Sequence, residues 1–180
     1  MATQITISAL VLMATAGMVA AKEPELTVVD SVDLDRYLGT WYEVASYPAW
    51  FQKDCTAVTA DYSMRDDGRI KVVNSCRKGS LDGKLKQSTG RAKVVDSATN
   101  AKLKVSFFGP FWGDYWIIDL DPDYTWAVVG VPNRKYLWIL SRSPVMDRAD
   151  YEGIIGRLPE AGYDVSRLQM TLQPGVEPGG

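Results

Sequence analysis

The stretch Gly39-Thr40-Trp41-Tyr42-Glu43-Val44-Ala45-Ser46-Tyr47-Pro48 (GTWYEVASYP) sets a glycine two residues ahead of a tryptophan at the start of a β-rich run. Glycine weakens strands, and tryptophan is a large side chain to spend at a strand's end. Local propensity does not account for the pairing. Beyond it, from residue 41 to residue 142, short runs rich in Val, Ile, Thr, Tyr and Trp alternate with turn chemistry. Strands are expected at about 41–48, 55–64, 69–77, 86–95, 102–108, 114–120, 125–131 and 136–142. The separators include Asp66-Asp67-Gly68, Asp82-Gly83, Gly109-Pro110, Asp121-Pro122-Asp123 and Pro132-Asn133. Eight evenly spaced strands with no helix between them predict an all-β, antiparallel up-and-down meander. Such a meander can close into a barrel and so remove its edges.

After Ser143-Pro144 the period changes. Tyr151, Ile154, Ile155 and Leu158 follow helical spacing, with Asp147 as the expected N-cap, Gly162 as a stop and Pro159 as an early terminator. The apolar stripe of this one α-helix predicts a place on the outside of the barrel. A last short strand is expected near Leu168 to Leu172, and residues 175–180 read as a disordered tail.

Composition narrows the function. A net charge of −2 argues against nucleic acid, which needs a basic footprint. The chain has no histidine, which removes Ser-His and Cys-His nucleophile pairs, a histidine general base and the commonest zinc ligand. No metal site, cofactor or catalytic residue is expected. Residues 5–21 carry no charge and end in Val19-Ala20-Ala21, the small residues a signal peptidase requires, although the preceding MATQ lacks a basic residue. Residues 1–21 therefore read as a cleaved signal peptide and residues 22–174 as one domain. Lys22 stands where a bacterial lipoprotein has its acylated cysteine, so the expected product is periplasmic and not lipid-anchored. Export makes Cys55 and Cys76 candidates for a disulfide, the alternative being two independent small apolar residues.

Three blocks in order, Gly39-Thr40-Trp41, Asp121-Pro122-Asp123-Tyr124 and Arg142 at the end of YLWILSRSP, together with Leu103 to Phe111 (LKVSFFGPF), resemble the lipocalin family. The likeness is to its bacterial outer-membrane branch related to apolipoprotein D, and it covers roughly residues 33 to 174. The resemblance implies that Gly39 bends the backbone, that Trp41 plugs the barrel floor, and that Arg142 lies across the indole in a cation–π contact worth roughly 0.5–2 kcal/mol. These three are structural.

Alternation along each strand, carried across by the resemblance, places the ligand-binding side chains. They are Ala45 on the first strand, Val58, Ala60 and Tyr62 on the second, Val72 and Asn74 on the third, and Val105 and Phe107 on the fifth. Tyr115 and Ile117, Ala127 and Val129, and Tyr136 and Trp138 complete the set. An eight-stranded barrel can be filled by side chains or hold one ligand; small residues opposite large ones, with the resemblance, predict a cavity rather than a filled core, with Ala60 and Ala127 in its wall beside Trp138. Glu43 is the one interior acid and is expected to be hydrogen-bonded. Trp50, Phe51, Phe111 and Trp112 fall in the mouth loops, either gripping ligand or touching a membrane transiently, or else packing on each other. Cys55 and Cys76 also fall at the mouth, diagonal to one another.

The resemblance implies a carrier of a lipophilic small molecule, of fatty-acid or lysophospholipid type, with a role in envelope lipid maintenance. A lipocalin-type enzyme is the alternative, and a protein-interaction module, monomer or homodimer, is a third reading. The last is motivated by Trp116 and Trp126, which point outward on neighbouring strands and would form a dimer face if exposed, the alternative being that they pack beneath the helix.

Overall fold

The computed structural model describes residues 25–175; the expected leader and the last five tail residues lie outside them. A four-residue helix, α1 (Leu34–Tyr37), opens the domain, capped by Asp33, whose carboxylate accepts from the backbone N–H of Asp35 and Arg36. Gly39 then turns the chain at φ +91°, a region that side-chain-bearing residues avoid, and starts β1 (Gly39–Ser46). The meander follows as β2 (Cys55–Met64), β3 (Ile70–Lys78), β4 (Leu85–Val94), β5 (Lys102–Ser106), β6 (Gly113–Leu120), β7 (Trp126–Gly130) and β8 (Leu137–Ser141). All eight expected strands form, each within about two residues of its expected bounds.

Each strand pairs antiparallel with its successor, and β1 pairs with both β2 and β8, which closes an eight-stranded barrel. Closure is complete only near the floor, where Gly39 to Tyr42 of β1 lie beside Thr59 to Tyr62 of β2. Higher up the two strands part, and the C-terminal strand β9 (Gln169–Met170) enters the gap, pairing with Ala45 and Ser46. Gln173 spans the gap, its buried amide donating to the carbonyls of Glu43 and Val58 at 2.8 Å each.

Two apolar clusters flank the barrel wall. The inner one gathers Trp41, Tyr62, Val72, Leu103, Ile117, Ala127, Val129 and Leu140. The outer one lies under helix α2 (Arg148–Arg157), where Ile154 and Leu158 cover Val128, Leu137 and Ile139. Asp147 caps α2 as expected, and the helix ends at Arg157, two residues before Pro159. Trp126 is buried in this outer cluster and Trp116 packs against it. The outward tryptophans are therefore covered and do not form an exposed pair.

One inward expectation fails. The β1–β8 ladder slips between Glu43 and Ala45, so that Glu43 faces Leu140 while Ala45 faces Ile139. Leu140 belongs to the inner cluster and Ile139 to the outer one. A bulge adds one residue to a strand and inverts the alternation beyond it. Ala45 is consequently an outer-face residue, and Ser46, opposite Trp138, takes the inner face.

Cys55 and Cys76 are joined, their Cα atoms 5.4 Å apart. Cys55 pairs directly with Lys78, and the β2–β3 ladder skips between Thr56 and Thr59, so the bridge is diagonal as expected. It closes a loop across 21 positions, for which chain entropy gives roughly 3 kcal/mol.

Candidate functional site: the upper barrel

The floor is built as the sequence implied. Trp41 is fully buried, its indole N–H donating to the Tyr37 carbonyl at 2.9 Å, and the Arg142 guanidinium lies 3.8 Å from its ring centroid. Arg142 also donates to the carbonyls of Thr40 at 2.9 Å and Arg36 at 2.7 Å, which ties α1 and β1 to the end of β8.

Above the floor stands a feature that strand alternation did not indicate. Tyr37 from α1, Tyr62 from β2 and Tyr115 from β6 meet at their hydroxyls, with Tyr115 Oη 2.8 Å from Tyr37 Oη and 2.9 Å from Tyr62 Oη. Two bonds join the three hydroxyls, with Tyr115 in the middle engaged by both neighbours, each group being able to donate or accept. Burial pushes all three upward, Tyr62 to about 12 and Tyr37 and Tyr115 well above the usual range. Their bulk fills the lower barrel.

This network predicts an alkaline limit. An unfolded tyrosine ionises near pH 10, whereas folded Tyr62 holds its proton to about 12. The stability is whole below pH 10 and is lost as pH rises toward 12, because only the unfolded state releases protons in that window. Tyr62 alone accounts for about 3 kcal/mol across it. Following tyrosinate absorbance, the buried group should lag the exposed tyrosines in native protein, and Tyr62→Phe should stay folded to higher pH. Uniform native titration near pH 10 would contradict the assignment.

The open space lies higher. Ile117, Ala127 and Val129 are fully buried, so no water-sized space touches them. They belong to the packed interior, and the expectation that Ala127 lines open cavity does not hold. Asn74, by contrast, shares the inner face with Val72 and Cys76 yet is exposed. An inner-face residue in mid-strand is exposed only if solvent enters the barrel. Ala60, Val105, Phe107, Tyr115, Tyr136 and Trp138 are half-buried around the same space. Tyr62 and Val72 lie beneath it and Val58, buried, above Ala60 on β2. Phe107 owes its place to Gly90: a Cβ there would stand 2.8 Å from the Phe107 ring.

Two walls differ in chemistry. On one side, Phe51, Tyr136 and Trp138 form a run of rings with centroids 5.5 and 5.7 Å apart. On the other, Asn74 pairs with Ser88 across β3 and β4. Glu43 stands behind the aromatic wall. Its carboxylate accepts from Ser46 Oγ at 2.9 Å, Thr171 Oγ1 at 2.6 Å and Gln52 Nε2 at 2.6 Å, and Gln52 Oε1 in turn accepts from the Trp138 indole at 2.9 Å. Buried acids need such partners. Glu43 thus binds the first loop and the C-terminal strand to β1, a structural role.

At the rim, Trp50 and Phe51 sit on a 3-10 turn (Trp50–Gln52) and contact each other at 5.7 Å. Phe111 is exposed, and so is Phe108, which the alternation pattern did not single out. Trp112 is not a free rim aromatic: Lys93 Nζ lies 4.7 Å and Arg91 Cζ 5.4 Å from its ring.

Comparison with known proteins agrees with this geometry. A lipocalin-like domain profile matches residues 32–173. The outer membrane lipoprotein Blc of Escherichia coli (strain K12) is 44% identical over 150 residues, covering 83% of this chain and 84% of that protein. Apolipoprotein D of Mus musculus is 31% identical over 160 residues, covering 84% and 82%. Among solved structures, insecticyanin from the tobacco hornworm Manduca sexta superposes with a TM-score of 0.67 at 21% identity, over 82% of this chain and 84% of that one, which supports the fold. The chain belongs to the lipocalin family, whose members bind small lipophilic molecules.

Proposed function

We propose that this protein carries one single-chain lipid, a fatty acid or lysophospholipid, with the acyl chain in the upper barrel. The observation that carries the reading is an inner face that is apolar, solvent-accessible at Asn74, and walled by Tyr136 and Trp138. The chain would lie among Ala60, Val105, Phe107 and Trp138, over Val72 and the tyrosine cluster. Burying each methylene contributes about 0.8 kcal/mol, so apolar contact alone supplies affinity. Both Glu43 oxygens are already engaged by donors, and no catalytic role is assigned to it. The relatives named outer membrane lipoprotein support an envelope location, and a part in lipid maintenance there belongs to the proposal. The same name, lipoprotein, runs against the expectation from Lys22 that the product carries no lipid anchor, and that expectation is withdrawn. Our reading has the chain exported to the envelope and cut near Ala21.

The test is Ala60→Trp, which places an indole in the open space facing Asn74. Displacement of a fluorescent fatty acid should weaken by at least ~10-fold, the equivalent of excluding about two methylenes. The thermal midpoint should hardly move. Unchanged binding at an unchanged midpoint would place the ligand elsewhere.

A further inference from the structure

The rim of the barrel is asymmetric in a way that ligand binding does not require. Trp50, Phe108 and Phe111 are 82%, 77% and 76% exposed. Large apolar side chains are seldom left this open in clusters unless something covers them. None belongs to a slack loop end. The turn bearing Trp50 is tied down through Gln52, which bonds both Glu43 and Trp138. Phe108 and Phe111 flank one turn, closed by Phe111 N–H donating to the Phe108 carbonyl at 3.0 Å. The adjoining Trp112 is held against Lys93 and Arg91 on the outside of β4. The β1–β2 and β5–β6 connections thus hold two aromatic prongs outward at fixed positions.

Charge at the same end is predominantly basic. The mouth turns and adjoining strand ends carry Lys53, Arg77, Lys78, Lys84, Lys86 and Lys135 against Asp54, Asp82 and Asp114. The closed end is biased the other way, with Asp33, Asp35, Asp121 and Asp123 around Arg36. A chain of net charge −2 therefore directs a basic, aromatic face along the barrel axis, around its own opening. Aromatic side chains settle at the boundary of a bilayer, and basic side chains beside them are attracted to anionic headgroups.

We propose that the open end docks on an anionic lipid bilayer, with Trp50, Phe108 and Phe111 inserted at the headgroup level and the rim lysines against phosphates. The inference rests on the carrier reading, since docking mouth-down lets a lipid pass between bilayer and barrel without crossing water. It differs from the contact set expected from sequence: Phe108 is a prong and Trp112 is a strut.

The experiment is co-sedimentation of delipidated protein with large vesicles, either pure phosphatidylcholine or equimolar phosphatidylcholine and phosphatidylglycerol. Binding should require phosphatidylglycerol and fall steeply with added salt. Trp50→Ser/Phe108→Ser/Phe111→Ser should weaken it by more than ~10-fold. Lys53→Glu/Lys84→Glu should weaken it by ~20-fold or more, from the loss of two attractions of the usual size for a lysine near an anionic surface. Arg69→Glu, at the closed end, should change nothing. All four proteins should still displace a fluorescent fatty acid in solution, so failure of docking is separable from failure of the carrier reading. The proposal is overturned if wild-type protein ignores anionic vesicles, binds both compositions equally, or loses binding as much through Arg69→Glu. It is also overturned if ultracentrifugation shows a vesicle-independent dimer that the triple variant abolishes.

Discussion

Replacing Trp41 with alanine is expected to remove about 3–5 kcal/mol of stability, a large part of what a domain of this size possesses. The indole is fully buried, stacks near Tyr37 with centroids 5.0 Å apart, and supports the Arg142 guanidinium at 3.8 Å. Its loss creates a cavity at the one end of the barrel that is sealed. It also leaves the Tyr37 carbonyl without its 2.9 Å donor, an unmade bond that adds to the transfer and cavity costs. Arg142 keeps its bonds to Thr40 and Arg36 but loses the aromatic face that desolvates it. Equilibrium urea denaturation should show a lowered midpoint at unchanged slope. A loss below about 1 kcal/mol would mean that the floor is not the keystone described here.

The second large effect is expected at Ala127→Trp. Strand alternation alone places Ala127 beside a cavity, where an added indole would be tolerated. The structure reverses that expectation: Ala127 is fully buried, paired with Leu120 on β6 and Leu140 on β8, inside the inner cluster. Overpacking by a few methylenes typically costs 1–3 kcal/mol, so a whole indole should cost more than about 3 kcal/mol. Thermal unfolding should show it clearly, and a variant that accumulates only as insoluble chain agrees with the same mechanism. A stable Ala127→Trp protein would show that the space beside β7 is vacant. Set against Ala60→Trp, the pair maps the depth of the cavity: one position reports on the open upper half, the other on the packed wall.

The contrast between these alanines marks the limit of what the sequence determined. Strand number, the order of the meander, the helix beginning after Asp147 and the Gly39–Trp41–Arg142 floor were all legible. The first three rest on local rules, namely period-two alternation, turn residues and a capping carboxylate, whereas the floor came with the resemblance to the lipocalin family. Ala45 was misplaced because alternation propagates only until a bulge, and the slip between Glu43 and Ala45 is set by where β1 leaves β2 and meets β9. The depth of the cavity was beyond local reading for a different reason. Three tyrosines from α1, β2 and β6, 25 and 53 positions apart along the chain from Tyr37 to Tyr62 to Tyr115, fill one volume that no single strand reveals. Trp112 likewise leaves its expected place at the rim, because Arg91 and Lys93, on another strand, supply a surface for its ring. Side-chain direction follows from the strand; whether the space ahead of it is empty is decided by what arrives from across the barrel.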